Sequence, residues 1–130
     1  MNAAPLWTSK AMAQAMRAAG NGALPDAVTG LSGSGPAYIF MVAEALIEAG
    51  VLAGLDRQTS YNLTIQTLLG SARMLAESGQ GPETLRAQVT SPGGTTAAGL
   101  HALESAGLRA AFLDAVLAAA ERSKELGTSS

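Results

Sequence analysis

The residues best suited to chemistry lie at 91–96, SPGGTT, between two runs rich in alanine and leucine. The two glycines let the backbone take positive φ and let a ligand approach it. Thr95 and Thr96 begin a predicted helix whose first N–H groups have no partner within the helix. Together with the hydroxyl of Ser91, these groups suit a small carboxylate or phosphate. The same residues also fit a tight turn and a plain helix cap, and by themselves they do not decide between the two.

Other motifs for catalysis are incomplete. Residues 33–38, GSGPAY, begin like a dinucleotide fingerprint, but Tyr38 stands at the third glycine position and no apolar strand precedes them. Residues 30–34, GLSGS, lack the last glycine of a nucleophile elbow, and His101 is predicted on a helix without an acid–base partner. No cluster of His, Cys or carboxylates has metal-site spacing, so no metal is predicted. Glu44 and Glu48 are predicted as the polar stripe of an apolar helix or as partners for an arginine, and not as catalytic acids.

The amino-acid composition limits which partners and which cellular compartment are expected. The 130 residues carry a net charge of −2 and no cysteine, which predicts no nucleic-acid partner, no disulfide and a reducing cytoplasm. No export signal is predicted at the start of the chain. The most apolar run, residues 36–55, contains Glu44, Glu48, Gly50 and Gly54, so a membrane span is not predicted.

Apolar periodicity predicts an all-α fold with six helices and no strand. Ser34 and Asp56 are predicted helix caps, and Gly50, Gly79 and Gly107 are predicted to follow helix ends. The predicted helices span residues 6–19, 36–49, 56–78, 82–89, 95–106 and 108–126. We expect residues 1–24 to form an atypical helical segment, residues 25–127 the main domain and residues 128–130 a polar tail.

The second of these helices is apolar almost all round, a pattern typical of a helix that is buried on every side. A six-helix chain of this length has little interior in which to surround a whole helix. We therefore expect a second subunit to cover it in an intertwined, obligate homodimer. The alternative is a central helix inside a compact monomer.

Two separated segments resemble the signatures of the pyrroline-5-carboxylate reductase family. They are residues 26–40, DAVTGLSGSGPAYIF, and residues 85–104, LRAQVTSPGGTTAAGLHALE, and the stretch between them also matches. The resemblance covers residues 25–127 and implies the all-helical dimerisation domain of that family, which follows a Rossmann domain that binds NADPH or NADH. Residues 1–24 do not resemble the family, and the chain contains no predicted Rossmann domain.

The resemblance implies hydride transfer from NADPH or NADH to 1-pyrroline-5-carboxylate, which gives L-proline in proline biosynthesis. Thr96 would be the catalytic residue, with its hydroxyl on the ring nitrogen. The implied substrate-binding residues are Ser91, Gly93, Gly94, Thr95 and Thr96. Ser32 and Ser34 would lie near the nicotinamide, although a helix cap with glycines for close packing explains them equally well.

By itself the chain is expected to dimerise and to be inactive without a cofactor domain. Three interpretations are open: a fragment, a separately encoded half with a separate Rossmann domain as its partner, and a remodelled relative. The alternative is a non-enzymatic oligomerisation or small-anion-binding module that has kept the fold.

Overall fold

The computed structural model describes Arg17 and residues 25–128. These residues form helices and short connections, with no strand among them, which confirms the all-α prediction. The helices are α1 (Pro25–Val28), a π-helical turn called here the π segment (Thr29–Gly33), α2 (Gly35–Leu52), α3 (Arg57–Glu77), α4 (Pro82–Gln88), α5 (Thr95–Ser105) and α6 (Leu108–Thr128).

Five of the six predicted helices are present as α2 to α6, and each end lies within three residues of its predicted position. The predicted helix at residues 6–19 lies outside the described residues except for Arg17, which is helical. The short α1 and the π segment are additional elements. Gly79 and Gly107 follow α3 and the end of α5 with φ of 72° and 79°, which confirms them as helix-ending residues.

The roles predicted for Ser34 and Gly50 at the two ends of α2 are wrong. A capping residue has an extended backbone, but Ser34 has φ −88° and ψ −19°, and its N–H donates to the Thr29 carbonyl at 2.8 Å. Residues 32–34 therefore continue a helical path instead of forming a turn. Gly50 lies inside α2, and the left-handed glycine after this helix is Gly54, with φ 117°.

Contact with α3 explains why Gly50 lies inside a helix, where glycine is unfavourable. The chain divides into two compact units, and this contact belongs to the unit Phe40–Leu108. A Cβ on Gly50 would lie 3.1 Å from the Cβ of Ser60 and would collide with the Ser60 hydroxyl. That hydroxyl is buried and donates to the Ile47 carbonyl at 2.8 Å. The glycine therefore makes room for a hydrogen bond that joins the two helices.

Among the described residues, the other unit comprises Arg17 and residues 25–39 and 109–128. In its described part, the segment before α2 packs on α6 by close backbone approach. Gly30 is buried, and a Cβ there would lie 2.7 Å from the carbonyl oxygen of Val116 and 3.3 Å from the Cβ of Ala120. The Ser123 hydroxyl donates to an Asp26 carboxylate oxygen at 2.7 Å. These contacts fix α1 and the π segment on one face of α6.

Much of the apolar surface of α2 is exposed. Among the described residues, Ile47 is the one buried hydrophobic side chain, whereas Phe40 is 62% and Met41 68% exposed. The alternative of a central helix covered by its own chain is therefore wrong. By length and composition alone, the 28-residue helical stretch Pro25–Leu52 would be able to cross a membrane, since an 18-residue window within it has a mean hydropathy of 1.5.

Asp56 is the N-cap of α3, as predicted. Its carboxylate accepts hydrogen bonds from the Thr59 backbone N–H at 2.9 Å and from the Thr59 hydroxyl at 2.7 Å. These bonds, with the backbone one as the larger cause, hold the pKa of Asp56 below its ordinary value.

A depressed carboxyl pKa predicts acid-sensitive stability. The contribution of the cap is present above the pKa of the unfolded chain and is lost as the pH falls through the lower folded pKa of Asp56. Asp56→Asn keeps a hydrogen-bond acceptor but cannot ionise, so we expect its Tm to fall less steeply than that of the parent chain between about pH 5 and pH 2. Thermal denaturation followed by circular dichroism measures this, and parallel curves for the two proteins would contradict it.

Candidate functional site

A tight turn precedes α5. It is closed by a hydrogen bond from the Gly94 N–H to the Ser91 carbonyl at 3.0 Å. Gly93 has φ 69°, which confirms the predicted need for glycine there. Gly94 has φ −85° and ψ −177°, so the prediction of positive φ is wrong at this position. Glycine is needed at 94 for space, because a Cβ would lie 3.1 Å from the Ser91 carbonyl oxygen and would collide with the Ser91 hydroxyl.

The first turn of α5 presents unpaired N–H groups. Its first hydrogen bond runs from the Ala98 N–H to the Gly94 carbonyl at 3.2 Å, and no side chain caps the helix. The N–H groups of Thr95, Thr96 and Ala97 precede that bond and are available to a ligand at the positive end of the helix. The N–H of Gly94 is already used by the turn. The candidate backbone donors are therefore the N–H groups of Thr95, Thr96 and Ala97, without that of Gly94.

The Thr96 hydroxyl is also available to a ligand, because Thr96 lies in the first turn of α5. Thr67 and Thr90 each donate to the carbonyl four residues earlier, at 2.7 and 2.6 Å. For Thr96 that carbonyl belongs to Pro92, which lies before the helix begins. Thr96 is half-buried, and its hydroxyl has no hydrogen bond within residues 25–128. A threonine in the first helical turn thus keeps a free hydroxyl beside free backbone donors.

The turn and the helix start form a neutral donor site. No charged residue occurs between Thr90 and Ala97, so any anion bound there is held by N–H and O–H dipoles. His101 lies further along α5 and is exposed. In the described part of the chain, no three His, Cys, Asp or Glu side chains are grouped as metal ligands would be.

Ser32 and Ser34 belong to the other unit, at the π segment and directly after it. Both are half-buried, and neither hydroxyl has a hydrogen-bond partner in the described residues. In the described residues, every buried side-chain nitrogen or oxygen atom has a hydrogen-bond partner. Because the hydroxyls of Ser32 and Ser34 have none, both must be accessible to solvent. The structure thus brings together Ser91, Gly93, Gly94, Thr95 and Thr96 at one turn and places Ser32 and Ser34 on a separate element.

The structure adds two candidate groups that the sequence did not predict. The N–H of Ala97 is found by counting N–H groups from the N-cap, because the first helical residues have no partners whatever their side chains. The Tyr38 hydroxyl, described below, has no signal in the sequence, since its hydrogen bond depends on the π segment. The GSGPAY stretch forms a helical junction without a preceding strand, and it is not a strand–turn–helix phosphate cradle.

Comparisons with known proteins show which family this chain is similar to. Residues 22–126 match the family model described as pyrroline-5-carboxylate reductase dimerisation. The pyrroline-5-carboxylate reductase of Methanosarcina acetivorans is 59% identical over 104 residues, which are 80% of this chain and 38% of that protein. The reductase of Arabidopsis thaliana is 57% identical over 104 residues, with the same coverage of 80% and 38%.

Solved structures give the same result. A Plasmodium falciparum pyrroline carboxylate reductase with NADP bound matches 78% of this chain and 39% of its own, with 45% identity and a TM-score of 0.76. A pyrroline-5-carboxylate reductase from Coxiella burnetii matches 78% of this chain and 37% of its own, with 51% identity and a TM-score of 0.76.

The chain thus spans about two fifths of the length of the curated reductases that it matches, 38% in the first two. The matched residues include both 26–40 and 85–104, the segments on which the resemblance rests. The chain belongs to the pyrroline-5-carboxylate reductase dimerisation family.

Proposed function

We propose that this chain is the substrate-binding and dimerising part of a pyrroline-5-carboxylate reductase, which reduces 1-pyrroline-5-carboxylate to L-proline. The observation that carries the proposal is the start of α5. Three unpaired N–H groups and the unpaired Thr96 hydroxyl lie there beside the Ser91 turn. The proposed substrate has a carboxylate and an imine nitrogen in one small ring, and this donor set offers partners to both.

The substrate carboxylate is proposed to bind the N–H groups of Thr95, Thr96 and Ala97, with the exposed Ser91 hydroxyl as a further donor. Hydrogen bonds to a charged acceptor are stronger than bonds between neutral groups. The helix dipole adds a favourable interaction with the negative charge. The left-handed Gly93 and the bare Cα of Gly94 keep the turn compact and leave the approach to these donors unobstructed.

Thr96 is the proposed catalytic residue because it contacts the reacting part of the substrate. A hydroxyl both donates and accepts, so it can pair with the ring nitrogen as a neutral imine or as a protonated one. With the carboxylate held by the backbone and the nitrogen held by Thr96, the orientation of the imine is fixed. The contribution of this chain is therefore positioning, and the reduced nicotinamide cofactor supplies the hydride when bound.

The cofactor is proposed to be NADPH or NADH, and a Rossmann domain is proposed to hold most of it. The described residues contain no strand–turn–helix cradle for a pyrophosphate, so they do not fit the dinucleotide as a whole. The accessible hydroxyls of Ser32 and Ser34 fit its polar carboxamide end. The homologous Plasmodium falciparum structure has NADP bound.

The partner proposed for the exposed face of α2 is a second copy of this chain, in an obligate intertwined homodimer in the cytoplasm. The match to a family of dimerisation domains supports a second copy of the chain as this partner. A lipid bilayer is a poor alternative because Glu44 and Glu48 lie one turn apart, both exposed, on this helix. The acidic balance of the chain, with a net charge of −2, gives no support to a nucleic-acid partner.

The substrate site is tested by Thr96→Ala. Removal of the hydroxyl is expected to weaken binding of L-proline about tenfold, because one hydrogen bond to the ring nitrogen is lost. In the complete reductase that carries this chain, kcat/KM for 1-pyrroline-5-carboxylate is expected to fall by at least as much. Calorimetric titration and steady-state kinetics measure the two effects.

Thr96→Ser is the matched control because it keeps the hydroxyl, and it is expected to retain binding. The Thr96→Ala protein should remain a dimer by light scattering. If L-proline binds Thr96→Ala as tightly as the parent protein, the turn is only a helix cap. If neither protein binds L-proline or a cyclic carboxylate analogue, the chain is an oligomerisation module without a substrate site.

The dimer is tested by Leu46→Lys. Leu46 is a 44% exposed leucine of α2, and a lysine there would place an unpaired charge in the proposed interface. Such a charge costs several kcal/mol, on the order of total domain stability. We expect dimerisation and folding to be lost together, as measured by analytical ultracentrifugation and circular dichroism.

Glu83→Lys introduces the same side chain at an exposed position of α4 and is expected to leave the dimer unchanged. A folded, soluble Leu46→Lys monomer would overturn the intertwined arrangement. An unchanged dimer would place the interface away from Leu46.

A further inference from the structure

A tyrosine hydroxyl reaches back across the π segment. Tyr38, in the first turn of α2, donates to the Gly30 carbonyl at 3.0 Å, and the Ala115 carbonyl of α6 lies 3.5 Å from the same hydroxyl. Side chains of a helix tilt toward its N-terminus, so a tyrosine at this position is directed over the junction that precedes α2. Tyr38 is half-buried, which limits competition from water.

The carbonyl that Tyr38 holds belongs to a residue fixed from its other side. Gly30 is buried on α6, and even a methyl group there would lie 2.7 Å from the Val116 carbonyl oxygen. One turn earlier, Asp26 accepts the Ser123 hydroxyl at 2.7 Å. The segment before α2 therefore has three attachments in this unit, and Tyr38 provides the last one before α2 continues.

The element held in this way is an unusual one. π-Helical turns account for well under 1% of residues, occur mostly as single turns and are frequent at functional sites. Here the turn includes Ser32 and is followed by Ser34, the two hydroxyls without partners. A shift of the Gly30 carbonyl would change the course of the backbone that carries both serines. The turn at residues 91–94 has its own closing hydrogen bond and does not involve Tyr38.

We propose that Tyr38 is a positioning residue for the cofactor. Its hydroxyl fixes the π segment so that Ser32 and Ser34 present their hydroxyls to the nicotinamide end of NADPH or NADH. This inference rests on the proposed function and extends it to a residue outside the donor site. The inference predicts different effects on the two ligands. Loss of the Tyr38 hydroxyl should weaken cofactor binding and leave substrate binding at the start of α5 unchanged.

The test is Tyr38→Phe in the complete reductase that carries this chain. We expect the KM for NADPH and for NADH to rise about three- to tenfold, the effect of one lost hydrogen bond. The KM for 1-pyrroline-5-carboxylate should stay within about twofold, since the Tyr38 hydroxyl bonds only the Gly30 and Ala115 carbonyls among the described residues and has no bond to the turn at residues 91–94. Tyr61→Phe is the matched control: Tyr61 is 50% exposed and its hydroxyl has no hydrogen bond within the described residues, so all constants should be retained.

A double-variant cycle tests whether Tyr38 acts through the serines. Ser34→Ala and Ser32→Ala are each combined with Tyr38→Phe, and at least one pair should be less than additive in cofactor KM. Full additivity for both pairs, an unchanged cofactor KM in Tyr38→Phe, or an equal rise in the KM of cofactor and substrate would each overturn the proposal.

Hydrogen exchange keeps the test independent of activity. In the folded protein, amides of residues 30–34 should exchange faster in Tyr38→Phe than in the parent or in Tyr61→Phe, because the attachment of the π segment is lost. Unchanged exchange would overturn the role of Tyr38. If Tyr38→Phe is poorly folded, Ser123→Ala is the second variant, because it removes the hydrogen bond to Asp26. It should raise the KM for the cofactor by a smaller factor, and an unchanged cofactor KM in Ser123→Ala counts against the proposal.

The outcomes also distinguish this inference from the proposed function. An inactive parent reductase contradicts the function, whereas the exchange experiment still decides whether Tyr38 holds the π segment. An active parent with an unaffected Tyr38→Phe variant contradicts only the inference.

Discussion

The apolar surface of α2 is the constraint on which the rest of this structure depends. Burying a large apolar side chain contributes about 1.5 to 3 kcal/mol, and Phe40, Met41 and Leu46 all remain more than two fifths exposed in the single chain. Because these side chains remain in contact with water, the isolated chain does not gain the stabilisation that their burial would contribute. In the proposed homodimer a second copy supplies the missing cover, so that folding and association become linked equilibria.

A chain with so little core of its own needs other means of fixing its helices, and it uses small residues and hydroxyls. Gly50 admits the Ser60 side chain, whose hydroxyl binds the Ile47 carbonyl of the neighbouring helix. Gly30 lets the π segment lie directly on α6. Each contact joins two helices through backbone atoms, which are more closely defined in position than the ends of long side chains. Preorganised elements of this kind are what a site based on positioning requires.

Signals local to the chain predict much of this fold. Asp56, Gly79 and Gly107 mark helix ends through capping and left-handed geometry, which involve only residues a few positions apart. The predictions at Ser34 and Gly50 are wrong because contacts with distant residues decide their conformation: Gly50 is needed by Ser60, and Ser34 follows a π segment that packs on α6. The same distinction holds at the candidate site. The glycines at 93 and 94 follow from the local geometry of the turn with Ser91, whereas the Tyr38 hydroxyl also reaches Ala115, which is distant in sequence.

The neutral donor site also has a consequence for charge. An arginine or lysine would bind a carboxylate more strongly, but its field would also act on the adjacent imine and disfavour the protonated ring nitrogen. N–H dipoles and hydroxyls hold the carboxylate without adding a formal positive charge near that nitrogen. In the proposed complex, residues 90–97 would bring no ionisable side chain to the ring nitrogen. This favours a division of tasks in which the helix start fixes orientation and the hydride donor supplies the driving force of the reaction.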